Sequence, residues 1–97
     1  MKLPIINKPE YTVYVEMVAN GCIFVHCDVY KWDKTVLKAL SSDWEQLVSL
    51  HNRPIYAYHY VGDTKHEKFL KLMGFKHLQD CIGNDLRQMQ LYIKGGS

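Results

Sequence analysis

The stretch Pro54–Phe75, PIYAYHYVGDTKHEKFLKLMGF, decides the fold. Ile55, Ala57, Tyr58, Tyr60 and Val61 make a short apolar run rich in β-formers, bounded by Pro54 before and Gly62-Asp63 after. Thr64 stands where a helix N-cap belongs, and Glu67 three residues later completes a capping box. Phe69, Leu70, Leu72 and Met73 give the helix, over about 65–73, its apolar side. Gly74 is the residue expected at a left-handed helix stop. The segment therefore reads as strand, turn, capped helix and an abrupt Gly-Phe end.

Working outward, Asn20-Gly21 is the strongest hairpin signal in the chain and predicts a two-residue type I′ turn between 11–19 and 22–30. That turn puts Ala19 opposite Cys22, Val15 opposite His26 and Val13 opposite Asp28. One face then carries Val13, Val15, Met17, Phe24, His26, Asp28 and Tyr30. Tyr14, Glu16, Val18, Ile23, Val25, Cys27 and Val29 line the other. Both faces are mostly apolar, which predicts helices on both faces of the sheet. Asp33 is placed to cap a long helix over about 34–50, whose stripe is Val36, Leu37, Leu40, Trp44, Leu47 and Val48. Asn52-Arg53-Pro54 ends it. Residues 76–82 and 88–93 read as two last strands joined at Gly83-Asn84-Asp85, while residues 1–10 read as a proline-punctuated lead-in.

Composition bounds the rest. With 97 residues, 47% of them apolar, the chain makes one ordered domain over 1–94 with a flexible tail at 95–97. A domain this size buries roughly 60–65% of the surface its unfolded chain exposes. No apolar run approaches the ~20 residues of a membrane span. A net charge of +2 with interspersed signs gives no nucleic-acid footprint. Three scattered cysteines without a secretion signal fit a reducing, cytoplasmic compartment. No metal site is expected. Cys22 with His26, and His77 with Cys81, are spaced ~13 Å along a strand, too far to share a zinc ion.

The order strand, strand, helix, strand, helix, strand, strand, with the Gly74-Phe75 stop, resembles the C-terminal two-thirds of the GNAT N-acyltransferase fold over residues 11–94. The resemblance implies an α+β mixed sheet with the N-terminal elements trimmed. Small bacteriophage proteins with a trimmed GNAT-like fold look similar in length and layout. For them the expected location is the host cytoplasm or the virion.

What the resemblance implies for chemistry is read residue by residue. The family pattern N-x-x-A-x-x-x-Y-x-x-x-G-F, set on Gly74-Phe75, puts Leu70 where the family has a tyrosine acid, His66 at its alanine and Asp63 at its asparagine. The family's phosphate loop, Q/R-x-x-G-x-G/A, opens the long helix. Here that junction is Val29-Tyr30-Lys31-Trp32-Asp33-Lys34-Thr35, without a glycine and with a carboxylate at the helix start. Lys31 and Lys34 are the residues that could meet a cofactor phosphate. His26 with Asp28 is the best acid–base pair, and His66 could stand in as an acid one turn before Leu70. Each also has a plain reading: His26 as a packed, hydrogen-bonded strand residue, His66 as a capping or surface histidine. Cys27 lacks a nucleophile motif and reads as core. Abundant aromatics, Tyr30 and Trp32 foremost, point to a protein partner or a homodimer. The expected function is a catalytically silent binding or structural protein without a cofactor; the alternative is an N-acyltransferase moving an acyl group from acyl-CoA to an amine.

Overall fold

The computed structural model describes residues 2–95. Six strands and two helices follow one another as β1 (Lys2–Asn7), β2 (Tyr11–Met17), β3 (Ile23–Val29), α1 (Lys34–His51), β4 (Ile55–Tyr60), α2 (Thr64–Leu72), β5 (Lys76–Ile82) and β6 (Gln88–Lys94). The strands form one sheet in the order β1-β2-β3-β4-β6-β5. Only β3 and β4 run parallel; every other neighbouring pair is antiparallel. The architecture is the α+β mixed sheet that the sequence resemblance implies.

The lead-in is a strand. Residues 2–7 pair with β2 from Lys2–Glu16 to Asn7–Thr12, with an irregularity at Ile5. As an edge strand β1 tolerates Pro4, whose missing N–H disqualifies it from a central position. β1 thereby covers the outer edge of β2.

The hairpin forms at the expected place but in a different register. Asn20 (φ 66) and Gly21 (φ 72) are both left-handed, as a type I′ turn demands. Yet the loop holds three residues, Ala19–Gly21, and closes with the Val18 amide donating to the Cys22 carbonyl at 3.0 Å. Tyr14 therefore faces His26, and Val13 faces Cys27. A one-residue slip exchanges the faces of one strand against its partner. Glu16 and His26 thus share a face, and Val13, Val15, Val25 and Cys27 share the other.

The two helices lie on one face of the sheet and do not divide between both. Val36, Leu40 and Trp44 of α1 and Phe69 and Leu70 of α2 pack in a single core with Val13, Val25, Ile55, Ala57 and Tyr92. Trp44 makes edge-to-face contacts with both Phe69 and Phe75. The opposite face carries no helix among the described residues. It presents Phe24 stacked on Tyr58 at 4.6 Å, Tyr56 beside them, and Tyr60 under the Arg87 guanidinium.

Helix ends follow local chemistry. Asp33 caps α1, its Oδ1 accepting from the Val36 amide at 2.9 Å. The cap of α2 is Asp63, which accepts from the His66 amide; Thr64 is the first helical residue. Gly74 (φ 89) stops α2 as expected, with the Phe75 amide bonded to the Leu70 carbonyl. Lys94, one residue past the last strand as the sequence reads it, is buried. Its Nζ donates to the Met73 carbonyl and to Glu45 Oε1, tying β6 to the end of α2 and to α1. Of the expected tail, Gly95 packs near Val48 and Pro54, and residues 96–97 lie outside the described residues.

Candidate functional site

The parallel junction makes the site. β3 and β4 pair only at Ile23–Ile55 and Phe24–Tyr56, then part. The opening between them is a cleft of about 430 Å³ that runs from the helix-covered face to the bare one. Val25, Cys27, Ala57, Trp44, Phe69 and Leu70 give it apolar walls. Lys2, His26, Asp28 and Tyr58 stand at the bare-face mouth by strand alternation; Trp32, Asp63, Lys65 and His66 belong to the α1 and α2 entrances.

All three acid–base candidates line this cleft, but not as the expected pair. His26 Nε2 lies 3.3 Å from Glu16 Oε1, across the strand pair. Asp28 Oδ2 instead accepts from the Tyr14 hydroxyl at 3.0 Å. Glu16, expected to point away from His26, faces it because of the register slip. Burial pushes the His26 imidazolium pKa below its usual value and Lys2 pushes the same way, against an opposing pull from Glu16.

His66 meets a partner that sequence reading passed over. Its Nδ1 lies 3.2 Å from Nδ1 of His59, so one ring donates and the other accepts. His59 is only 1% exposed and packs edge-on to Tyr92. Burial lowers the His66 pKa, His59 adds to that, and Asp63 opposes it. The period-two pattern of β4, which buries Ile55, Ala57 and His59 in turn, is the clue that could have placed His59 inside.

The cofactor candidates stand elsewhere. Lys31 reaches Asp33 at 3.6 Å and Lys34 lies beside Leu37 and Leu72; neither lines the cleft. The Asp33 carboxylate occupies the first amides of α1. Those hydrogen bonds, that of Val36 above all, hold it below the usual carboxylate range. Leu70, at the position of the family's tyrosine acid, is buried to 2% exposure and has no proton to give. Burial pushes the Cys27 thiol up to about 12, which removes it as a nucleophile. Tyr30 and Trp32 are 59% and 63% exposed, as surface aromatics should be. Each also has an internal contact: the Tyr30 hydroxyl lies 2.9 Å from Thr12 Oγ1, and Trp32 packs edge-on to Phe69. Among the described residues no three His, Cys, Asp or Glu side chains gather as a metal site would require.

No protein-family model matches the chain, and no curated protein matches it. Solved structures do. A Bordetella pertussis chain described as a GnaT-family acetyltransferase superposes with a TM-score of 0.68 at 10% identity, over 89% of this chain and 57% of that one. The ribosomal-protein-S5-alanine acetyltransferase of Vibrio fischeri gives 0.68 at 16% identity, over 87% and 52%. A GNAT-family acetyltransferase of Bacillus anthracis gives 0.65 at 12%, over 86% and 56%. The chain thus spans little more than half the length of these neighbours. At such identities the likeness is one of fold, and that fold is GNAT.

Proposed function

We propose that this chain is a catalytically silent GNAT-fold binding protein, one that keeps the cleft of the fold without the parts for acyl transfer. The observation that carries this reading is the start of α1. Asp33 fills the amides that a pyrophosphate needs, and its negative charge repels one. Buried Leu70 supports it further, since no proton donor stands ready for a departing thiolate. In this reading the protein uses no cofactor and acts through a protein partner or as a homodimer, with Tyr30 and Trp32 among its contacts. The bare aromatic face supports an interaction role, because single domains rarely leave wide apolar patches open. Bacteriophage origin, with a place in the host cytoplasm or the virion, belongs to the same proposal and rests on the sequence resemblance. The test is a thiol-release assay with acetyl-CoA and primary amines, from polyamines to peptide N-termini. No turnover above background is expected. Turnover that disappears in His66→Gln or His26→Gln would establish the acyltransferase alternative.

A further inference from the structure

We propose that the β3–β4 cleft is a receptor for an extended peptide, which enters as an added strand between the two parted ones. This rests on reading the cleft as a binding site and not a site of acyl transfer.

The first observation is the direction of the backbone groups. Hydrogen bonds at the two ends of the β2–β3 ladder, Val18 to Cys22 and Tyr30 to Glu10, keep one register. Every second residue between them, Phe24, His26 and Asp28, therefore turns its N–H and C=O to β2. Those of Val25, Cys27 and Val29 turn to β4. On β4, the Val61–Gln88 bond sets Ile55, Ala57 and His59 toward β6, which leaves Tyr58 and Tyr60 turned to β3. The Tyr60 carbonyl is taken by the Asp63 amide. Past Phe24 and Tyr56, Cys27, Val29 and Tyr58 have no strand partner on their facing edges among the described residues. Unpaired strand edges invite an added strand, and an occupant carrying amides at strand spacing supplies partners on both sides.

The second observation is the alternation of the walls. Trp44, Phe69 and Leu70 lie on the helix side; His26, Asp28 and Tyr58 lie on the bare side. A strand in the opening would send apolar side chains one way and polar ones the other, residue by residue. The free β3 edge from Val25 to Val29 is about 13 Å long, which matches about four residues of partner. A third observation is independent of both. Trp44, a cleft-wall residue only 2% exposed, has an Nε1–H with no acceptor among the described residues. Buried donors of this kind are normally satisfied, and a ligand carbonyl would serve.

The experiment is backbone amide exchange, followed by NMR on the whole chain, with acetyl-Lys-Leu-Lys-Leu-amide as the probe. Its counterpart with every peptide nitrogen methylated is the control. At saturating peptide the Cys27, Val29 and Tyr58 amides should exchange at least ~tenfold more slowly, and the methylated control should fail to bind. Three results would overturn the proposal: no binding at millimolar peptide, equal binding of the methylated control, or protection confined to the outer edges of β1 or β5. Acetyl-CoA in a parallel sample separates the two readings. If it protects the same amides, the silent function fails, while the peptide arm still decides the receptor.

Discussion

Asp33 and His66 are the residues whose roles the sequence leaves open and the structure narrows. Asp33 reads from its position as a helix cap, and the 2.9 Å bond to the Val36 amide is that cap. Asp33→Ala should lower the melting temperature by about 4–8 °C, the shift that loss of a typical cap gives a domain of this size. An unchanged melting temperature would remove the cap from the account. For His66 the sign follows from burial. Its folded pKa lies below the ordinary 6.5, so on acidification the unfolded chain takes up a proton first. The contribution of neutral His66 is complete above about pH 6.5 and is lost as pH falls through the lower folded value. His66→Gln should therefore lose less stability than the parent between about pH 7.5 and pH 5, measured as the shift in urea midpoint. His26 is displaced in the same direction, so the slope should shrink and not vanish. An unaltered slope would show that His66 is not buried as described. The sequence marked both histidines as candidates, but their partners, Glu16 and His59, depend on register and burial that local pattern does not fix.

Elements were legible where a local signal was strong. The long helix, the Gly-Phe stop and the last two strands stand at their expected places, because caps, glycine and periodicity act over a few residues. The hairpin turn was legible as well, but its length was not. Asn-Gly serves two- and three-residue loops alike, and one extra residue exchanges the strand faces. β1 was hidden by Pro4 and Pro9, since only its pairing with β2 makes a strand of that segment. The end of α2 offers a test at this scale. A Cβ on Gly74 would come within 2.6 Å of Lys94 Nζ at a φ of +89°. Gly74→Ala should cost more than about 1 kcal/mol in a urea titration, combining left-handed strain with displacement of that ammonium. Lys94→Met should cost about 1–3 kcal/mol, because the Met73 carbonyl loses its charged donor. A neutral outcome for Lys94→Met would mean that water replaces the ammonium there.

At the scale of the molecule, the sheet order and the single parallel junction make a GNAT fold with both helices on one face and the other face bare. The bare face, with Tyr58 and Tyr60 over a third exposed, supports self-association or a partner. Light scattering at high micromolar concentration should give the mass of a dimer. A clean monomer that binds no apolar dye would contradict that. We propose that the cleft persists without cofactor chemistry, because the Asp33 carboxylate holds the first amides of α1. Titration calorimetry with acetyl-CoA tests it most directly. Up to millimolar cofactor the parent chain should give no binding heat. A saturating isotherm at micromolar concentration would contradict it and make this chain a cofactor-binding protein after all.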